Sequence, residues 1–150
     1  PAHDVPADAL LLLGGGPWGS AGTRDLPTLA EEISLTRAML EQGTPVIAFG
    51  LGAQILARAA GGGSESAPLA FDVGYARRVE DDALAGFLPE RFPSAVYMRD
   101  RPLPPPGARV LAVDADERPA LFQVGPNSFG FTGHPGFKTA MAEDLIMEFD

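Results

Sequence analysis

The sequence contains no cysteine. That excludes disulfides, thiolate metal sites and a cysteine nucleophile at once. Basic residues are scarce as well: 11 Lys and Arg stand against 20 Asp and Glu, a formal net charge of −9. So acidic a chain argues against nucleic acid and against an anionic membrane surface as partners, because both need a basic face. The densest basic feature is one pair, Arg77-Arg78. Long apolar runs are missing too. The longest, in ADALLLLGGG, is far too short to span a bilayer. No basic start leading into an apolar stretch marks a secretory leader, so cytoplasm is the default expectation. His3 with Asp4 and Asp8 is a weak metal-ligand pattern at a terminus, and neither a metal nor a cofactor is expected.

What is present fits one domain. A chain of 150 residues with 45% hydrophobic residues can bury a real core. The 18 Gly and 15 Pro are spread along the chain rather than gathered in a linker, so residues 1–150 are taken as a single domain. Ala9–Leu13 is a continuous apolar run ended by Gly14-Gly15-Gly16-Pro17, as expected of a strand buried on both faces. A helix is expected over Pro27–Gln42, with Pro27 in the first turn, Thr28 and Glu31 at capping-box spacing and Gly43 just past the end. Val46–Phe49 predicts a second buried strand and Leu51–Ala60 a second helix. Strand–helix–strand–helix order is the signature of a parallel α/β sheet, whose ligands bind beyond the carboxyl ends of the strands. Both glycine-rich turns, Gly14–Gly16 and Gly50–Gly52, fall at those ends.

Beyond Gly63 the texture changes. Phe71–Val79, Ala95–Met98, Arg109–Val113, Leu121–Val124 and Ser128–Thr132 are short strand-like runs separated by turns, which predicts antiparallel hairpins. A last helix is expected near 138–149. The acidic run at 80–82 is read as a solvated turn.

The segment Ala48-Phe49-Gly50-Leu51-Gly52 has the frame of a nucleophile elbow: a strand ends, the chain turns sharply and a helix starts. The apex position, Gly50, has no side chain. Glycine is intelligible there if chemistry is not required, because positive φ costs any other residue about 1–2 kcal/mol.

Several ordered motifs together resemble class I glutamine amidotransferase domains of the stand-alone type related to the glutaminase part of GMP synthetase. They are ADALLLLGGGP, LAEEISLTRAMLEQGTPVIAFGLGAQILARAAGG, LPERFPSAVYMRDRPLPPPGARVLA and FGFTGHPG. The resemblance implies a flavodoxin-like parallel sheet with flanking helices and an antiparallel hairpin region. It places the family's Cys nucleophile at Gly50, its His at His134 and its triad Glu at Gly136. It assigns substrate binding to Gly15, Gly16, Leu51 and Gln54, with the N–H groups of Gly16 and Leu51 as oxyanion donors. Arg99 stands where many members carry a His. The family also starts with strands that have no counterpart before ADALLLLGGG. The resemblance therefore implies either a fragment or a sheet edge covered by a partner subunit or a second copy.

Two of the three catalytic side chains are thus replaced by glycine. Glutaminase chemistry needs a sulfur, and a His without its carboxylate is not oriented. The expected role is binding of a partner or of a small ligand such as glutamine. The alternative is a hydrolase or amidotransferase with altered chemistry using His134 and the oxyanion loop. A third reading is a structural subunit whose pocket is irrelevant. Ser20, Ser64, Ser66 and Ser128 lie outside any elbow and are expected to be solvated loop residues. Trp18 either lines the pocket or covers the edge of the core.

Overall fold

The computed structural model describes residues 6–134. His3, Asp4, Gly136 and the helix expected near 138–149 lie outside the described residues. The elements run β1 (Leu10–Leu12), α1 (Leu29–Glu41), β2 (Val46–Phe49), α2 (Leu51–Ala59), β3 (Gly63–Glu65), β4 (Ala70–Arg78), β5 (Arg91–Met98), β6 (Arg101–Leu103), β7 (Arg109–Val113), β8 (Pro119–Val124) and β9 (Ser128–Phe131).

One sheet has the order β1-β2-β9-β8-β7-β4-β5, and β3 pairs with β6 beside it. Only β1, β2 and β9 are mutually parallel. The rest is antiparallel, as the hairpin texture predicts. The sheet curls into a half-barrel: just after β9, the backbone N–H of His134 donates to the carbonyl of Ala95 on β5, the opposite edge strand, at 2.8 Å.

The helix α2 is the hub. Every residue of it except Arg58 is buried, and it packs against α1, β2, β9 and the β3–β6 pair. Gly52 permits this closeness, since a Cβ there would lie 2.5 Å from the carbonyl oxygen of Leu12. One core joins Leu12, Val46, Ile55, Leu56 and Phe122, and a second joins Ala76, Leu88, Leu111 and Leu121 inside the curl.

Three expectations change. The run at Ala9–Leu13 is an edge strand covered on one face: Leu12 packs in the core beside α2, while Leu11 and Leu13 are 59% and 65% exposed, and β1 hydrogen-bonds only to β2 among the described residues. Helix α1 starts two residues after Pro27. Its Thr28 N-cap makes no side-chain bond to the backbone, and the Thr28 hydroxyl goes to the Glu32 carboxylate instead. Ser20 and Ser128 are buried rather than solvated. The Ser128 hydroxyl accepts the Val46 N–H at 3.0 Å, which fastens β9 to β2.

The loops are gathered by Asp100, in the turn between β5 and β6 and fully buried. Its Oδ2 accepts the N–H groups of Ser20 at 3.0 Å and Ala21 at 3.1 Å, and its Oδ1 accepts that of Ala67 at 3.0 Å. Its own N–H donates to the Ala67 carbonyl at 3.0 Å. Asp100 adopts φ 62°, a conformation that Asp tolerates better than most side chains. Replacing it with Ala strands the buried Ser20 N–H and the half-buried N–H groups of Ala21 and Ala67, a buried one costing about 1–3 kcal/mol. Asp100→Ala is therefore expected to lower stability by about 3 kcal/mol or more, and Asp100→Asn, which keeps one acceptor oxygen, by less. Urea unfolding midpoints of the two variants check both the size and the order.

Candidate functional site

The elbow is present in the backbone. Gly50 sits between β2 and α2 at φ 59° and ψ −121°, a region that non-glycine residues occupy only under strain. Its N–H donates to Phe131 O at 2.9 Å, and its carbonyl accepts the Ala53 N–H at 2.9 Å to start α2. The Gly14–Gly16 turn stands beside it. A Cβ on Gly15 would lie 2.2 Å from Cδ2 of Leu51, so the two segments expected to supply oxyanion donors are in contact.

His134 reaches the same place and fills it. A Cβ on Gly50 would meet His134 Cε1 at 2.8 Å and Nε2 at 3.2 Å. A Cβ on Gly14 would meet Cε1 at 2.5 Å and Nδ1 at 3.2 Å. The imidazole is thus wedged between two glycine backbones, in the space where a side chain at the apex would begin. Its Nε2 lies 3.2 Å from the Tyr97 carbonyl oxygen. A carbonyl can only accept, so this partner assigns the proton to Nε2. The ring is therefore held as a donor to β5.

Gln54 is fully buried, one turn into α2. Its Nε2 donates to Arg99 O at 2.7 Å, and its Oε1 accepts the Ser20 hydroxyl. Both ends of the amide are engaged inside the protein. Arg99 crosses the loop above it. Its Nε donates to Pro17 O at 2.8 Å, and its Cδ would lie 2.9 Å from a Cβ on Gly19. Trp18 packs on the core edge with Arg24 over its ring at 5.2 Å. Ser64 is half-buried beside Ser20, and Ser66 is exposed.

The structure thus brings Gly15, Gly50, Leu51 and His134 together, with Gly16 next in the turn and Gln54 behind the loop. The apolar cavity of about 320 Å³ beside His134, lined by Phe49, Phe92, Phe131 and Ser94, is not legible from the motifs. Phe49 and Phe131 are stacked there with centroids 5.4 Å apart. Their neighbouring strands β2 and β9 are the signal, but the pairing of the two is a long-range fact. Among the described residues no group of three or more His, Asp and Glu side chains could hold a metal ion. No helix among them is long and apolar enough to cross a membrane.

No protein-family model and no curated protein matches the chain. Solved structures do. The protein SMU.1228c aligns over 100% of this chain and 70% of its own at 20% identity, with a TM-score of 0.80. A glutamine amidotransferase from Methylobacillus flagellatus aligns over 96% of this chain at 23% identity, with a TM-score of 0.79. One from Thermotoga maritima aligns over 97% at 20% identity, with a TM-score of 0.77. This chain spans 60% and 65% of the length of those two amidotransferases. The fold is class I glutamine amidotransferase-like, a mixed α/β fold with a curled sheet.

The ring contact predicts a non-additive pair. Gly50→Ala adds a Cβ both at positive φ and against the imidazole, and is expected to cost about 2 kcal/mol or more. In a His134→Ala background the steric part is relieved, so the same substitution should cost at least about 1 kcal/mol less. Urea unfolding of the two single variants and the double variant gives the coupling directly.

Proposed function

We propose that this chain is a glutamine amidotransferase-like domain without glutaminase activity, working by binding a partner subunit or a small ligand. The observation that carries this reading is the apex. Gly50 keeps the strained elbow backbone but offers no nucleophile, and the His134 ring occupies the adjoining space. Thioester formation needs an attacking sulfur, and the apex residue offers none. Gly136, where the family has its orienting Glu, adds a second missing group.

A binding role also suits the sheet edge. Leu11 and Leu13, in and just after β1, are large and exposed, and an open strand edge with apolar side chains favours association. A partner subunit or second copy over β1 is the occupant this reading expects.

The test is ammonia release from glutamine by the purified full chain, beside His134→Ala. The expected result is no release above the buffer blank from either protein. Release by the native chain that disappears in His134→Ala would overturn the proposal and restore a catalytic role for the histidine.

A further inference from the structure

A second cleft opens where α2 ends, away from the elbow. Arg58 lies eight residues after Gly50, about 12 Å along the helix at 1.5 Å per residue. The cleft, of about 490 Å³, lies between the loop carrying Gly22 and Asp25 and the start of β3 with Gly63 and Ser64. None of its residues lines the apolar cavity beside His134.

Its charges are unusual in being unspent. Arg58 makes one hydrogen bond, from Nη1 to the Ser20 carbonyl at 2.8 Å. Asp25 uses Oδ1 to accept the Gly22 N–H at 2.8 Å. Neither belongs to any ion pair among the described residues. A guanidinium and a carboxylate therefore face one small space without neutralising each other.

The hydroxyl polarity there is also fixed. Gln54 donates through Nε2 to Arg99 O, so its Oε1 must accept from Ser20. With its proton so used, the Ser20 Oγ accepts from Ser64, whose Oγ lies 2.6 Å away. The Ser64 hydroxyl proton points inward and its lone pairs remain for the cleft. The site offers donors at Arg58 and acceptors at Asp25 and Ser64.

We propose that this cleft binds a free α-amino acid as its zwitterion, with the carboxylate on the Arg58 guanidinium and the ammonium between Asp25 and Ser64. A simple anion would meet the Asp25 carboxylate, and a simple cation would meet Arg58. A ligand carrying both charges a few ångströms apart satisfies both, and charge-assisted bonds of this kind are the strong ones. The inference is independent of whether the elbow is catalytic.

The experiment is an amide NMR titration of the full chain with L-serine, chosen as small and polar, beside acetate and methylammonium as single-charge probes. The expected result is saturable shifts at Gly22, Gly63 and Ser64, with L-serine bound at least about tenfold more tightly than either single-charge probe. Arg58→Gln and Asp25→Asn should each weaken L-serine by about tenfold or more. Asp25 is exposed and Asn keeps an acceptor for Gly22, so that variant should retain the native spectrum. Absence of shifts, acetate binding as tightly as L-serine, or unchanged affinity in Asp25→Asn would each overturn the proposal.

Discussion

The loop over α2 and the cleft at the end of that helix depend on one buried carboxylate. Asp100 receives three backbone N–H groups from two loops, Ser20 and Ala21 on one and Ala67 on the other. A buried carboxylate is tolerable only when its lone pairs are taken up in this way. The consequence is geometric. Ser20 is fixed over α2, so its hydroxyl meets Gln54 and its carbonyl meets Arg58. Arg99, next in the chain, is drawn across Pro17. One anion thus sets the loop that passes from the elbow turn to the end of α2. The cost is a left-handed backbone at a non-glycine residue, offset by hydrogen bonds that no other side chain of that length would supply.

Against that frame the elbow is a matter of space. A hydrolytic elbow needs strain at its apex, room for the nucleophile and a base held nearby. The positive-φ turn is present at Gly50, and the His134 ring lies beside it. The room is taken, because the imidazole stands where side chains on Gly50 and Gly14 would begin, with its Nε2 on the Tyr97 carbonyl and the His134 backbone N–H on that of Ala95, both on β5. The curl of the sheet makes this possible by bringing the end of β9 against β5. Histidine here closes the half-barrel.

Much of this was legible in the residues, and the rest was not for identifiable reasons. The strand at Val46–Phe49, the elbow helix and the hairpins β7–β8–β9 announce themselves through apolar runs ended by Gly or turn residues. The strands β3 and β6 do not, since GSE and RPL are too short to show alternation and pair with each other across nearly 40 residues. The front of β5 is hidden by Arg91 and Pro93, which an edge strand accepts. Ser20 and Ser128 look like loop serines because what buries them lies 80 and 82 residues away. The doubled coverage expected of Leu10–Leu12 failed because an apolar run states only that a strand is apolar, not that both faces are covered. At the site, the elbow frame marked Gly50, and the family resemblance pointed to His134 and Gln54. Only the fold says that Gln54 has both amide ends bound within the protein and that the ring of His134 touches Gly50.

That last contact changes what glycine at the apex means. Taken alone, Gly50 is an apex without a side chain. With the imidazole 2.8 Å from where a Cβ would stand, glycine is also what the packing requires. A side chain at position 50 must displace the ring, which also lies against the Cβ position of Gly14 and on the Tyr97 carbonyl. The positive φ costs nothing here, because glycine adopts it freely. Relief of strain, a filled cavity and a satisfied ring nitrogen therefore all favour the same residue. A cysteine placed at position 50 would therefore need the His134 ring to shift before its sulfur faced the cleft.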